Sequence, residues 1–265
     1  MNKILQLHLD NAKREKKVLN MVRNGSEATI YIYDIIDPWW GVSASRVMAD
    51  IAAAGDAAVL HVRINSPGGD VFESRAIIEA IKRFAGKTIA HIDSLAASAA
   101  TSISLACDEV EMSDGGFYMI HNASGAVWGD KSDMRKTADL LEKIEGVIAG
   151  EYAAETGQEV TQIVSWMDDE TWFTCAEAIA AGFVDRAAAP AEKTSNAWNL
   201  AVFNKTPKAL LDAAVEAPPA AEPLAPSAPP VAAAEPPATP APITAPPENS
   251  MIQANKNRLT LLLAA

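Results

Sequence analysis

Three short stretches of this chain carry residue types that together perform acyl-transfer chemistry. Ser98 lies among alanines directly after a strand-like run, and His121 follows the apolar run Phe117–Ile120 and precedes a polar loop. Gly68 and Gly69 stand between a second strand-like run and a helix-like one. A hydroxyl, an imidazole and exposed backbone N–H groups at a glycine turn are the nucleophile, general base and oxyanion hole of a serine hydrolase.

Each of these signals has an ordinary structural interpretation when it stands alone. A serine in an alanine-rich helix, a single histidine at a strand end and a Gly-Gly turn all occur in proteins without catalytic sites. We therefore base the prediction of a catalytic site on the order and spacing of the three. The other histidines, His8, His61 and His91, are interpreted as structural or exposed.

The elements that must position these residues follow from the hydrophobic patterning. Runs rich in Val, Ile and Leu alternate with stretches of helical spacing, which predicts βαβ units and a mainly parallel sheet, that is, an α/β fold. Predicted strands span residues 29–36, 57–64, 87–92, 109–112 and 117–120, and predicted helices span 43–54, 71–84, 96–106, 131–156, 159–166 and 175–181.

Composition divides the 265 residues into four predicted parts. Residues 1–25 form an N-terminal segment, and residues 26–188 form the folded catalytic domain. Residues 189–250 are expected to be a disordered Ala/Pro-rich linker, because 12 of the 16 prolines lie between Pro218 and Pro247 and such a composition buries little apolar surface. Residues 251–265 form a short amphipathic C-terminal segment.

Charge and missing motifs exclude whole classes of function. The formal net charge of −12 argues against a nucleic-acid binder, and no apolar run is long enough to span a membrane. There is no Walker motif and no metal-ligand spacing, so we expect no ATP hydrolysis by this chain, no metal and no cofactor. Cys107 and Cys175 are expected to be reduced thiols, and the cytoplasm is the expected compartment.

Four blocks, in a fixed order, resemble the proteolytic subunit of the Clp protease family. They are Asn-Ser-Pro-Gly-Gly at 65–69, Ala-Ala-Ser-Ala-Ala at 96–100, Met-Ile-His at 119–121, and Phe-Thr-Cys-Ala-Glu-Ala at 173–178 followed by Gly-Phe-Val-Asp at 182–185. The resemblance covers about residues 28–188. Within the family, Glu-Thr-Trp-Phe at 170–173 is most similar to the phage branch, the head-maturation (prohead) proteases.

The resemblance implies a crotonase-like α/β spiral, a ring-shaped homo-oligomer and peptide-bond hydrolysis inside an enclosed chamber. By matched position it implies Ser98 as the nucleophile, His121 as the general base, and the backbone N–H groups of Gly69 and Ala99 as the oxyanion hole. For the phage branch it implies capsid and scaffold proteins as substrates, in the host cytoplasm or the assembling prohead. The charge and the lack of a long apolar run predict no nucleic-acid or membrane partner.

The third catalytic residue is the least defined part of the resemblance. The family's aspartate lies two residues before the phenylalanine of the last block, and that position is Thr171 in this chain. We predict that Asp169 orients His121, with Asp168, Glu170 and Thr171 as rivals. Without an orienting carboxylate, a serine peptidase loses up to about 10⁴ in kcat.

Other functions remain open on the sequence. A cellular Clp-type subunit served by an AAA+ unfoldase fits the same blocks, although the long linker and the divergent N-terminus disfavour it. A ring of the same fold with a decayed site and a structural role is a non-enzymatic alternative. An acyl-CoA hydratase or hydrolase would require an acidic pair near the oxyanion hole, and a Ser–Lys peptidase would require a lysine in a small-residue block; neither feature is found.

Overall fold

The computed structural model describes residues 3–12, 14, 19–189 and 198–215. From the second strand onward most strands are followed by a helix, as the hydrophobic patterning predicts. The strands are β1 (Val22–Asn24), β2 (Glu27–Ile32), β3 (Val59–Ser66), β4 (Lys87–Ala97), β5 (Glu109–Met112), β6 (Phe117–Ile120), β7 (Thr171–Thr174) and β8 (Arg186–Ala187). The helices are α1 (Lys3–Asp10), α2 (Ala44–Ala54), α3 (Val71–Lys82), α4 (Ala99–Ser104), α5 (Lys131–Thr156), α6 (Val160–Asp168), α7 (Cys175–Ala181) and α8 (Lys208–Val215).

The strands form one mixed sheet in the order β1-β2-β3-β4-β5-β8. Neighbours from β2 to β8 are parallel, whereas β1 pairs antiparallel with β2. β4 is long enough to have two partners on one side, because residues 89–92 pair with β5 and residues 95–97 pair with β6. β6 in turn pairs antiparallel with β7. This arrangement confirms the predicted α/β class with a mainly parallel sheet.

Local hydrogen bonding sets the helix that follows the glycine turn. Asp70 caps α3 by accepting hydrogen bonds from the N–H groups of Phe72 and Glu73, which have no partner within the helix. The helix therefore begins directly after the turn. The predicted helix over 96–106 is shorter in the structure, because β4 extends to Ala97 and α4 begins only at Ala99.

Two apolar clusters stabilise the fold. The larger one packs the sheet against its helices and includes Ile64, Ile77, Ile92 and Phe183. The second joins both ends of the described chain to β4 and β6. Its buried members are Leu7, Ile35, Leu95, Ala97, Met119, Trp198, Leu200 and Phe203.

Part of the second cluster lies within residues 189–250, where the sequence predicts a disordered linker. Residues 198–215 instead include three buried side chains, Trp198, Leu200 and Phe203, followed by α8. Large apolar side chains provide the burial that the Ala/Pro-rich stretch lacks, which explains the difference. Residues 190–197 and 216–250, and the predicted C-terminal segment 251–265, lie outside the described residues.

Candidate active site

Ser98 stands at the junction between β4 and α4 in a conformation that side chains rarely adopt. Its φ of 55 and ψ of −127 lie outside the regions favoured for residues with a β-carbon. Main-chain bonds hold it there: Ser98 N donates to Met119 O at 2.8 Å, and Thr101 N donates to Ser98 O at 2.9 Å. Strain of this kind is concentrated at functional sites.

His121 reaches the serine because β6 lies beside the last residues of β4. Ala97 pairs with Met119, and His121 follows β6 directly. Ser98 Oγ and His121 Nε2 are 2.8 Å apart, which is hydrogen-bond distance. With the ring proton assigned to Nδ1, the hydroxyl donates to Nε2, as it must when an imidazole removes the proton of a nucleophile. The tertiary structure thus brings the sequence-predicted pair together.

The Gly68-Gly69 turn lies directly against the serine. Gly68 has a φ of +87, and a β-carbon on it would lie 2.7 Å from Ser98 Cβ and 2.6 Å from Ala97 O. Gly69 has a φ of +152, and a β-carbon there would lie 2.0 Å from Ile36 O. Only glycine fits either position, because the collisions are with backbone or with the nucleophile itself.

The hydrogen bonds around Gly69 direct its own N–H away from the neighbouring segment at Ile36. Ile36 N donates to Gly68 O at 2.8 Å, and Asp70 N donates to Ile36 O at 2.7 Å, which forms a parallel bridge between Ile36 and Gly69. In such a bridge the central residue directs its N–H to the opposite side. Ala99 is the first residue of α4, so its N–H also has no partner within the helix. Ala99 follows Ser98 directly, and Gly69 follows the residue that lies against Ser98, so both predicted oxyanion donors are close to the nucleophile.

Burial sets the protonation state of His121. The pKa of His121 is lowered from 6.5 to about 4, mainly by burial and further by the positive charge of Lys3, while the charge of Glu170 acts in the opposite direction. The ring of Phe203 packs edge-on against the imidazole, with 5.4 Å between the ring centroids. The imidazole is therefore neutral at neutral pH, which is the form that accepts a proton.

Comparison with known proteins places these residues in a family. The family model described as Clp protease matches residues 12–190, more than half of the chain, and the match includes the serine junction, the glycine turn and His121. The chain belongs to the Clp protease family.

Individual Clp relatives come from bacteria and a chloroplast. The chain is 30% identical over 170 residues to the ATP-dependent Clp protease proteolytic subunit 3 of Rhodococcus jostii, which covers 60% of this chain and 80% of the relative. It is 33% identical over 129 residues to subunit 2 of Thermobifida fusca, covering 46% and 61%. It is 25% identical over 170 residues to the chloroplastic ATP-dependent Clp protease proteolytic subunit-related protein 2 of Arabidopsis thaliana, covering 62% and 60%.

These matches confirm the predicted family and the predicted class of enzyme, a serine-type peptidase. The three relatives are Clp subunits of cells or organelles, so the phage branch remains a prediction. Within the described ranges, no helix is both long enough and apolar enough to cross a membrane, and no group of three or more His, Cys, Asp or Glu side chains is arranged to bind a metal ion. Cys107 and Cys175 are free thiols.

In this Clp-family chain the predicted orienting residue, Asp169, lies away from His121. Its carboxylate accepts a hydrogen bond from Lys205 Nζ at 2.8 Å, and its side chain is 67% exposed. Asp169 is the C-cap residue of α6, and this position holds it at the surface. The rival Asp168 accepts a hydrogen bond from Asn122 Nδ2 at 2.6 Å. Neither carboxylate is hydrogen-bonded to the histidine.

Strand register shows which residue is opposite His121. β6 and β7 pair antiparallel with Ile120 opposite Thr171. Continued one residue beyond the paired strands, the same register would set Glu170, a turn residue with a φ of 49, opposite His121. Because side chains alternate across a strand, Thr171 points to the other side of the sheet, and its hydroxyl donates to Trp166 O at 2.8 Å. The register therefore favours Glu170 among the rival residues.

Sequence reasoning missed two features of the Clp-family site. Strand β7 is only four residues long, and its Trp-Phe pair was the one available signal. The buried residues Trp198, Leu200 and Phe203 follow the end of the family match at 190. The sequence signal for them is a group of large apolar residues just before a tail that has few.

Proposed function

We propose that this chain is a serine endopeptidase that hydrolyses peptide bonds through an acyl-enzyme. The observation that carries the proposal is the 2.8 Å contact between Ser98 Oγ and His121 Nε2, beside the Gly-Gly turn. A strained serine, a neutral histidine and main-chain N–H groups next to them are the parts that acyl transfer needs.

The proposed reaction proceeds in two halves. His121 removes the hydroxyl proton as Ser98 Oγ attacks the scissile carbonyl carbon, and the N–H groups of Gly69 and Ala99 stabilise the oxyanion. His121 then gives this proton to the leaving amine, the C–N bond breaks, and the acyl group stays on Ser98. Water, losing a proton to His121, attacks the ester, and release of the acid restores both residues. None of these steps needs a cofactor.

The backbone edge at the glycine turn supports a polypeptide as the substrate. The N–H of Gly69 points away from Ile36, so a main-chain carbonyl of an extended peptide can reach it. Such a peptide would place a main-chain carbonyl beside Ser98. We propose that the chain acts on proteins and assembles into a homo-oligomeric ring, as expected for its family.

The test is labelling with a fluorophosphonate probe, which reacts with activated serines, read by intact mass. We expect one label per wild-type chain and none on Ser98→Ala or His121→Ala. Ser102→Ala is the matched control, because Ser102 lies on the same short helix and contacts Tyr152 instead of the histidine. Labelling of Ser98→Ala, or an unlabelled but folded wild-type oligomer, contradicts the proposal and favours a ring with a structural role.

The relatives support a cellular setting as the first candidate. Their names describe ATP-dependent Clp proteases. We propose that this chain hydrolyses proteins delivered by a separate AAA+ unfoldase, which agrees with the lack of a Walker motif in the chain itself.

A second candidate is cleavage of capsid and scaffold proteins during phage head assembly. It is favoured by the Glu-Thr-Trp-Phe block at 170–173, in which Thr171 stands at the family's aspartate position, and by the long Ala/Pro-rich stretch after the catalytic domain. Such a stretch could join the protease to a scaffold or shell.

A degradation assay separates the two candidates. The chain is incubated with a folded protein, ATP and an AAA+ unfoldase from the same cells, and in parallel with a phage scaffold protein and no ATP. Degradation that needs ATP and the unfoldase supports the cellular role. Trimming of the scaffold at discrete sites without ATP supports head maturation.

A further inference from the structure

The chain that follows the family match passes next to His121. We call residues 198–206 the strap. Its residues Trp198, Leu200 and Phe203 are buried in the second apolar cluster together with Met119 of β6. The Phe203 ring lies edge-on to the His121 ring at 5.4 Å between centroids. The strap thus packs against the strand that delivers the histidine.

Specific contacts hold the first part of the strap. Trp198 Nε1 donates to Asn65 Oδ1 at 2.9 Å in a buried hydrogen bond, and the Arg14 guanidinium lies 3.4 Å over the Trp198 ring. Asn199 N donates to Asn11 Oδ1 at 2.8 Å, and Asn11 Nδ2 donates to Asn199 O at 2.9 Å. Because Asn65 begins the motif that contains the glycine turn, the strap is fixed relative to the catalytic residues.

The last part of the strap binds Glu170. Asn204 N donates to Glu170 Oε2 at 2.8 Å, Lys205 N donates to Oε1 at 2.5 Å, and the Trp172 indole adds a longer bond at 3.4 Å. Glu170 is only 6% exposed, and its φ of 49 is unusual for a residue with a β-carbon. Main-chain N–H donors satisfy a buried carboxylate without neutralising it. The strap therefore holds a negative charge in place.

We infer that Glu170, held by the strap, is the positioning residue that supports His121 during proton transfer. The inference rests on the proposed function of Ser98 and His121. Glu170 is directly opposite His121 when the β6–β7 register is continued, and Phe203 of the strap packs against the imidazole. As the imidazole takes the serine proton it becomes positive, and a fixed negative charge at the residue just before β7 lowers the energy of that state.

The neighbouring candidates lack this combination of properties. Asp169 is exposed and paired with Lys205, and Thr171 carries no charge. Glu170 alone among them is a buried carboxylate, and its charge acts on the pKa of His121. The strap begins after the end of the family match at residue 190, so this chain supplies part of its active site from beyond the family blocks.

The experiment compares charge-removing variants in the full-length chain. We expect Glu170→Gln to slow both fluorophosphonate labelling and kcat for a peptide substrate by about 100-fold, with KM unchanged. Asp169→Asn removes the same charge from the rival position, and we expect it to have the smaller effect. Asp56→Asn is the control that should leave activity unchanged, because Asp56 is 93% exposed and precedes β3, at the strand end opposite the site.

A pH profile separates support of His121 from a role in folding alone. Labelling falls when His121 is protonated, so the acid limb of the profile reports the pKa of His121. Loss of the Glu170 charge should lower this pKa, since that charge raises it, and move the limb to lower pH. A purely structural role would lower Tm and leave the limb in place. Glu170→Asp keeps the charge and should recover part of the rate.

Three results would overturn the inference. Unchanged labelling of Glu170→Gln, or a larger loss in Asp169→Asn, removes Glu170 from the role but leaves Ser98 and His121 as the proposed pair. Faster labelling of Phe203→Ala shows that the strap blocks the site, whereas we expect slower labelling because His121 loses its packing. If Glu170→Gln does not fold, the labelling rates of Glu170→Asp and Phe203→Ala test the role of Glu170 instead. Persistent labelling of Ser98→Ala is the separate result that overturns the proposed function itself.

Discussion

Two groups of residues act on His121, Ser98 with the glycine turn and Glu170 with the strap, and the two groups are built by different means. The first relies on main-chain conformation, with a φ of 55 at Ser98 and +87 at Gly68. The second relies on a side-chain carboxylate held by N–H groups 34 and 35 residues further along the chain.

The difference shows which parts of such a site tolerate change. A main-chain conformation that needs glycine accepts no substitute, because every other residue brings a β-carbon. A residue that acts through its charge can be supplied from a neighbouring position if tertiary contacts hold it there. This explains how Thr171 can occupy the family's aspartate position while Glu170, one residue earlier, supplies the charge that we propose supports His121.

The largest expected effect comes from Gly68→Ala, which disturbs the main-chain conformation of Ser98 and the glycine turn. The new methyl group would meet Ala97 O at 2.6 Å and Ser98 Cβ at 2.7 Å, at a φ that side chains avoid. We expect the nucleophile to be displaced and kcat/KM to fall by at least about 100-fold. The measurement is the rate of peptide hydrolysis, with circular dichroism to show that the variant folds.

Gly146→Ala is the matched control for this prediction. Gly146 lies in α5, and a β-carbon there has nothing within 4 Å. We expect full activity and a gain of about 0.5–1 kcal/mol in the free energy of unfolding, as for glycine replaced inside a helix. An active Gly68→Ala enzyme would contradict the claim that no other residue can replace glycine in this turn.

A second prediction concerns the pH dependence of stability that buried His121 causes. Its pKa is lowered to about 4 by burial and by Lys3 on α1, with Glu170 opposing. Below pH 6.5 the unfolded chain binds a proton that the folded chain does not take up until about pH 4. Stability therefore falls as pH falls, and His121 contributes about 2 kcal/mol to the loss between pH 7 and pH 5.

Urea unfolding of the wild type and His121→Asn at the two pH values measures this contribution. We expect a shallower pH dependence in the variant. The pKa of His91 is also lowered by burial, but that residue is present in both proteins and cancels in the difference. Equal pH dependence of the two proteins would show that His121 is not desolvated. Its protonated form would then need no supporting charge from Glu170.

The smallest expected effect is on the far end of the strap. Trp198→Phe removes the donor to Asn65 Oδ1, and Asn65 Nδ2 already has no partner within the described structure. We expect a loss of about 1–2 kcal/mol in unfolding free energy, because a buried amide oxygen is left unsatisfied. Trp128→Phe is the control, since Trp128 is 87% exposed. Equal Tm values for the two variants would argue that the strap is not anchored at Asn65.

Elements with a long or self-contained pattern were predictable from the sequence. The helix over 131–156 and the strands over 109–112 and 117–120 have the predicted bounds, and α5 also carries its own capping box at Asp130. β7 and the strap were not predicted. Four residues of β7 hold too little periodicity to identify a strand, and the strap gains its structure from contacts with Asn65, Asn11 and His121.

The order of the amino acids was sufficient for the α/β class, the Ser98–His121 pair and the glycine turn, since these depend on local periodicity, on a strand-helix junction and on the conformational freedom of glycine. The choice among Asp168, Asp169, Glu170 and Thr171 depended on folding. It turns on the register between β6 and β7, together with N–H donors from the strap. A shift of one residue in register reverses which side of the sheet a side chain faces, so only pairing between distant segments could place Glu170 opposite the histidine.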